Sequence, residues 1–308
     1  MANQGEISTH DAADDERNDD LKIYVNGRIV HRRDAVVSVY DSGFLLGDGV
    51  WEGVRLHNGR WAFLSDHLDR LFEAAKAIDL DIGMDHQALR QALNDTASAN
   101  GMHDNVHARL MVTRGIKSKP FQDPRLSKSG PTIVIIMEHS RPVADERPRG
   151  LKLHTVPIYR GLPVTQDPKL NSHSKLNCIL AGIHAQKAGA DEALMLDPHG
   201  FVNTTNSCNF FIVRRGEVWT STGDYCMPGI TRAKVIDVCR ANGIPVYEKN
   251  FSLVETYGAE EAFITGTFGG QTYVAEIDGR PVGNGAPGSM TATIRQLYKD
   301  LVTRDCAG

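Results

Sequence analysis

Residues 169–211 read KLNSHSKLNCILAGIHAQKAGADEALMLDPHGFVNTTNSCNFF. The pattern orders as a lysine-bearing loop, a helix, a strand, a turn and a polar loop that leads into a second strand. Such an order can hold a reactive lysine and a flat aromatic group on one face.

Upstream, residues 151–159 read as a strand. The Pro- and charge-rich run SRPVADERPRG (140–150) reads as a connector. The linker is placed at 141–150, between a smaller N-terminal domain over 20–140 and a larger C-terminal domain over 151–308. Residues 1–19 are polar, acidic and nearly free of large apolar side chains, which predicts a disordered arm. In the N-terminal domain, LKIYVNGRIV (21–30) is a hairpin turning at Asn26-Gly27. Residues 36–40 and 50–57 read as strands around a tight loop at Gly43, Gly47 and Gly49. Asn58-Gly59 turns the second strand into 60–64. Ser65 is positioned to cap the next helix, with Leu68, Leu71, Phe72, Ala75 and Ile78 on its apolar side. His67 and Arg70 share a neighbouring stripe, which by itself reads as a solvated face. A second helix (85–100) and strands at 107–114 and 132–138 complete the domain, with a polar loop over 116–130.

Downstream, strands flank a turn at Arg215-Gly216 within 213–220. Pro228-Gly229-Ile230-Thr231-Arg232 leads into a helix over 233–242 that Gly243 ends. A strand at 245–248, a short helix at 252–257 and a strand at 261–265 follow, the last ending in Gly266-Thr267-Phe268-Gly269-Gly270. A strand pair over 273–282 and a final helix over 290–303 close the chain. Three of these places suggest a phosphate cup. Thr231 sits at a helix start where free N–H groups favour an anion. Thr267 lies in a Gly-flanked turn, and Arg70 offers a planar double donor. Arg55 and Arg114, near strand ends, are candidates for holding a carboxylate.

Together, FLLGDGVWEGVRLHNGRWAFLSDHLDRL, MVTRG, GADEALMLDPHGFV, SCNFFIV, PGITR, EAFITGT and IDGRPVG resemble the fold-type IV pyridoxal-phosphate enzymes. These are the class IV aminotransferases, a group that includes branched-chain and D-amino-acid aminotransferases and aminodeoxychorismate lyase. The resemblance spans residues 21 to about 300 in order. It implies a two-domain α+β / α/β fold with mixed sheets and flanking helices, pyridoxal 5'-phosphate as cofactor, and a homodimer. It makes Arg70, Ile230, Thr231 and Thr267 phosphate ligands. Arg114 then corresponds to a carboxylate-binding arginine of the D-amino-acid enzymes, and Phe44 stands where those enzymes carry a substrate-side tyrosine. Trp51-Glu52-Gly53-Val54-Arg55 is nearer the branched-chain pattern.

Two positions depart from the family. Transamination needs a lysine that binds the cofactor covalently and moves a proton, and usually a carboxylate facing the pyridine nitrogen. Counting back from Gly189-Ala190-Asp191-Glu192-Ala193 puts the lysine position on Asn171, or on Leu170. Anchoring on Asn177-Cys178 puts it on His173. Counting back from Asn209 puts Thr204 at the glutamate position, where it could meet the pyridine nitrogen without holding a proton there. Lys175, four residues after Asn171, is the first substitute, on the supposition that both lie on one helix face. Lys169 is the second.

Bulk properties exclude several classes. At 308 residues with 41% hydrophobic and 23% charged side chains, the chain suits one large or two modest globular domains. A net charge of -4 argues against a non-specific nucleic-acid binder. No run of about 18 apolar residues suggests a membrane span, and the acidic start does not read as a signal peptide. The five cysteines form no CxxC pair; they read as reduced thiols in a cytoplasmic protein, with no metal site. Three functions stay open. One is amino transfer between a small amino acid or amine and a 2-oxo acid. Another is a lyase, isomerase or hydrolase on the same scaffold, drawing on Asn171, His173, Lys175, Asn206 or Cys208. The third is binding of a phosphorylated ligand without turnover.

Overall fold

The structure is a computed structural model that describes residues 9, 10, 12–142 and 149–307. The chain forms two compact units. The N-terminal unit holds Ala13–Arg141, Leu170–Ser174 and Thr303–Gly308; the C-terminal unit holds Met1–Ala12, Pro142–Lys169 and Lys175–Val302. Of the expected arm, residues 1–8 and 11 lie outside the described residues, as do 143–148 of the expected linker.

The N-terminal unit is built on a six-stranded sheet of β1 (Lys22–Val25), β2 (Arg28–His31), β3 (Gly49–His57), β4 (Arg60–Trp61), β5 (Val106–Thr113) and β6 (Thr132–His139), in the order β2-β1-β6-β5-β3-β4. All its pairings are antiparallel. Asn26 takes a left-handed φ of 48° at the first hairpin, as the Asn-Gly turn requires. Helices α1 (Ser42–Leu46), α2 (Leu64–Ala77) and α3 (His86–Ala99) complete the unit. Leu68, Leu71, Leu89 and Leu93 from α2 and α3 pack with Val54, Leu110 and Ile135 in one core.

The C-terminal unit contains β7 (Leu151–Thr155), α4 (Pro163–Gln166), α5 (Leu176–Lys187), β8 (Glu192–Leu196), β9 (Val202–Thr205), β10 (Asn209–Arg214), β11 (Glu217–Thr220), α6 (Ile230–Ala241), β12 (Val246–Glu248), α7 (Leu253–Tyr257), β13 (Glu261–Gly266), β14 (Gly270–Ile277), β15 (Arg280–Pro281) and α8 (Ser289–Asp305). Its sheet runs β12-β11-β10-β13-β14-β7-β8-β9, with β15 on β14. A further pairing of Thr204 with Asn209 returns β9 to β10, so six strands close into a ring. Leu151, Leu153, Phe210, Ile212 and Ile264 fill it. On the outer face Phe211 and Phe263 stack at 4.9 Å beneath Val235, Ile236 and Cys239 of α6.

Three local expectations are corrected. Residues 36–40 alternate like a strand but form none, and Val36, Val39 and Tyr40 are exposed; alternation without a neighbouring strand to bond does not make a ladder. Ser65 does not cap α2. The helix starts two residues earlier, at Leu64, and the chain enters it through Phe63 in a left-handed conformation, its N–H donating to Asp305 at 2.7 Å. The described part of the acidic arm is ordered. Asp15 caps a short 3-10 helix over Glu16–Asp20, and Asn18 exchanges two hydrogen bonds with the His139 backbone. Thr9 is buried, donating to Glu192 at 2.7 Å.

The pair His67 and Arg70 is not a solvated face. Both side chains are buried against Glu52 of β3. Arg70 donates from Nε and Nη2 to the two Glu52 oxygens at 2.7 and 2.8 Å, and His67 Nδ1 lies 2.7 Å from Oε2. Burial pushes the Glu52 carboxyl up, but the His67 hydrogen bond and the Arg70 charge outweigh it and hold the group below its ordinary value of 4.5.

Two stability predictions follow from these contacts. Phe263→Ala removes one ring of the stack and should cost about 3–5 kcal/mol in urea unfolding. Glu52→Gln leaves a buried guanidinium without its counter-charge and should cost roughly 3–5 kcal/mol near neutral pH. Because the folded carboxyl titrates below its unfolded value, that difference is fully present above about pH 4.5 and shrinks as pH falls through the folded pKa. Unfolding of wild type and variant across pH 3–7 checks both magnitude and sign; a difference that grows on acidification contradicts the assignment.

Candidate ligand site

Residues 171–173 run extended beside β3. Asn171 O accepts from Trp51 N at 3.0 Å and its Nδ2 donates to Trp51 O at 2.6 Å. His173 N donates to Gly49 O at 2.9 Å, and the His173 ring lies 3.1 Å from Val50 O. Asn171 is only 2% exposed. Since Trp51 O can only accept, the amide nitrogen must face it, which fixes the orientation of the carboxamide. Its Oδ1 then has no hydrogen-bond partner among the described residues.

This geometry corrects the supposed helical equivalence of Lys175 and Asn171. Helix α5 begins at Leu176, with Lys175 as its N-cap; the preceding residues are strand-like, so a four-residue offset does not return to the same face. Lys169 is exposed, its N–H donating to Asp167 at 2.9 Å.

Thr204, which the count from Asn209 sets at the family glutamate position, is buried on β9, and its hydroxyl donates to Cys208 O at 2.7 Å. The hydroxyl hydrogen is thereby used, and Thr204 Oγ1 can only accept from a ligand. Thr205 Oγ1 tightens the same turn, accepting from Cys208 N at 2.9 Å, and Asn206 Oδ1 accepts from Ala193 N at 2.7 Å. Beside the turn, Glu192 is buried. Ser207 and Thr9 donate to it, yet burial dominates and pushes its carboxyl up.

The phosphate-cup residues fall on both units. In the C-terminal unit, α6 starts at Ile230 with Gly229 as N-cap and no side-chain cap. The first N–H groups of Ile230, Thr231 and Arg232 therefore point out of the helix without intrahelical acceptors. Thr231 is buried, with Tyr298 of α8 3.5 Å from its hydroxyl. Thr267 sits half-buried in the β13–β14 turn. In the N-terminal unit, Arg70 has two of its nitrogens on Glu52.

The carboxylate candidates are already engaged. Arg114 donates to both oxygens of Asp48 at 2.8 and 3.0 Å and to the Ile78 and Asp79 carbonyls at 2.7 and 2.8 Å, so a substrate carboxylate would have to compete with Asp48. Arg55 is buried and donates to Ser140 O at 2.6 Å. Phe44, on α1, is exposed. Cys208 is half-buried with Ser207 3.5 Å from its sulfur.

Glu52 and Glu192 were missed as organising residues. The signal available for Glu52 was its place in a strand ahead of the His-x-x-Arg spacing; nothing in the sequence pointed to a contact between Thr9 and Glu192.

Several of these residues fit the phosphate of a pyridoxal-type group, while positions 171 and 204 supply neither an amine nor a carboxylate. The donors at the start of α6 and the β13–β14 turn suit a phosphate. The Asn171 carboxamide is no nucleophile, and the Thr204 hydroxyl holds no proton on a ring nitrogen. Among the described residues, no three His, Cys, Asp or Glu side chains are grouped to hold a metal ion, and no helix is long and apolar enough to cross a membrane.

Comparison with known proteins agrees with the fold. The profile of amino-transferase class IV matches residues 49–277. Branched-chain-amino-acid aminotransferase-like protein 1 of Arabidopsis thaliana is 40% identical over 91% of this chain and 50% of its own length, so the chain spans about half of that relative. A putative branched-chain-amino-acid aminotransferase of Methanocaldococcus jannaschii is 39% identical over 92% of this chain and 97% of its own. The crystal structure of the T.th. branched-chain amino acid aminotransferase with pyridoxamine 5'-phosphate superposes with a TM-score of 0.86 at 28% identity, over 93% of this chain and 95% of that one. The chain belongs to amino-transferase class IV, a family of pyridoxal-phosphate-dependent, transaminase-like enzymes of the fold-type IV architecture.

Proposed function

We propose that this class IV chain binds a small phosphorylated ligand of the pyridoxal type without carrying it on a lysine. Ordinary amino transfer between a small amino acid and a 2-oxo acid is then not its reaction. The observation that carries this reading is Asn171: a buried carboxamide, tied to both the N–H and the C=O of Trp51, at the position that the count back from Gly189 assigns to the family lysine. Thr204, with its hydrogen given to Cys208 O, supports the same reading, because a ring without a facing carboxylate is a weaker electron sink.

Ile230, Thr231 and Thr267 of the C-terminal unit are assigned to the phosphate and Thr204 to the ring edge, and Arg70 of the N-terminal unit is kept as a phosphate ligand by its family position alone. Arg114 and Arg55 are assigned to structural support rather than to a substrate carboxylate, since Asp48 and Ser140 already occupy them. Phe44 is kept as a substrate-side residue by its family position. The reaction class is a lyase, isomerase or hydrolase step, with His173, whose ring lies 3.1 Å from Val50 O, as the residue assigned to proton transfer. The free cysteines accord with a reducing, cytoplasmic setting.

A homodimer is supported by α5, where Leu176, Ile179, Leu180 and Ile183 form an exposed apolar stripe at helical spacing. Ile179→Glu combined with Ile183→Glu should halve the mass seen in sedimentation; an unchanged mass places any interface elsewhere.

The central test compares wild type with Asn171→Lys after addition of pyridoxal 5'-phosphate. Wild type should bind it with the spectrum of the free aldehyde. Asn171→Lys should acquire an imine band that borohydride abolishes. An imine band in wild type that disappears in Lys175→Ala instead identifies the chain as a transaminase with a displaced lysine.

A further inference from the structure

Four buried polar side chains stand in one row across the C-terminal sheet. Thr204 on β9 pairs with Asn209 on β10, Asn209 with Thr265 on β13, and Thr265 with Gln271 on β14. Directly opposed residues share a face of a sheet. That face is the outer one, because Phe211 and Phe263, two residues along the same strands, pack under α6. The row lies at the end where α6 begins. A Cβ at Gly229, the N-cap of α6, would collide with Asn209 Oδ1. Tyr298 bridges the same end, lying 3.5 Å from the Thr231 hydroxyl and 3.9 Å from a Cβ built on Gly270, next to Gln271.

Two members of this row are unsatisfied. Thr265 and Gln271 are each 2% exposed, and neither Thr265 Oγ1 nor Gln271 Nε2 has a hydrogen-bond partner among the described residues. Buried donors are almost always paired, and leaving one unmade is costly. An apolar residue would serve packing on this face better, as it does at Phe263. The neighbouring α6 start adds N–H donors that no side chain caps. The row contains no carboxylate that would repel an anion.

We propose that Gln271, with Thr265, is an inner ligand-recognition pair: Gln271 Nε2 and Thr265 Oγ1 donate to a phosphate oxygen of the ligand held at the start of α6. The ligand class is a small organic phosphate, and the proposal rests on the phosphorylated-ligand reading above. The two residues act on binding and not on bond breaking. They leave the free protein with unmet polar groups that the ligand satisfies, so stability and binding trade against each other at this point.

Binding of pyridoxal 5'-phosphate, pyridoxal and inorganic phosphate is measured by calorimetry and by thermal unfolding, for wild type, Gln271→Leu and Gln271→Glu. Wild type should bind the phosphate ester and not pyridoxal. Gln271→Leu should raise the unfolding temperature of the ligand-free protein while weakening pyridoxal 5'-phosphate about tenfold or more, the loss of a hydrogen bond to a charged group. Gln271→Glu should abolish binding by repulsion. Should Gln271→Leu fail to fold, Thr265→Val carries the same test with the same expected direction. A variant that binds as tightly as wild type overturns this inference alone. A wild-type protein that binds none of the phosphates overturns the reading on which it rests.

Discussion

The backbone N–H and C=O of Trp51 fix the residue at position 171, on which the proposed function depends. Both groups are bonded by Asn171, through its backbone carbonyl and through its side-chain amide. With His173 bonded to Gly49, this pairing draws residues 171–173 out as an extended strip and delays the start of α5 to Leu176. The side chain at 171 is therefore fixed in place and in orientation. Lys175, four residues on, does not share a helix face with Asn171, because the intervening residues are not helical.

Two polar centres in the molecule are handled in opposite ways. Glu52 is buried with its charges answered inside the protein, by Arg70 and His67. Such a cluster holds its shape because removing one member strands the others. The row across the C-terminal sheet is buried with Thr265 Oγ1 and Gln271 Nε2 unanswered among the described residues, although Thr204 and Asn209 have their partners. The first is a brace that keeps Arg70 oriented on α2. The second leaves two polar groups without a partner near the uncapped start of α6, which is what the proposed phosphate contact draws on. The Glu192 centre lies between these extremes: its hydrogen bonds from Thr9 and Ser207 are made, yet burial still raises its pKa.

Much of this was legible in the sequence because it rests on local rules. The Asn26-Gly27 hairpin, the Gly-Ile-Thr helix start and the Thr267 turn are set by residues within a few positions of one another. The family motifs pointed to class IV amino-transferases, and the matching profile agrees. What was not legible depends on partners distant in sequence. Val36, Val37 and Val39 read as a strand until the absence of a neighbour is known. Phe63 replaced Ser65 at the head of α2 because Asp305, far along the chain, accepts its N–H. Asn18 orders an acidic segment by pairing with His139. Thr265 and Gln271 look unremarkable singly, and only strand register sets them beside Asn209.

The central claim, that the ligand is held without a lysine bond, is tested most directly by chemical trapping. Wild-type protein is incubated with pyridoxal 5'-phosphate, reduced with borohydride, digested and read by mass spectrometry for a phosphopyridoxyl lysine. The account predicts a bound ligand that washes away on unfolding and no stoichiometric adduct on Lys175 or Lys169. A single stoichiometric adduct on either lysine would contradict it.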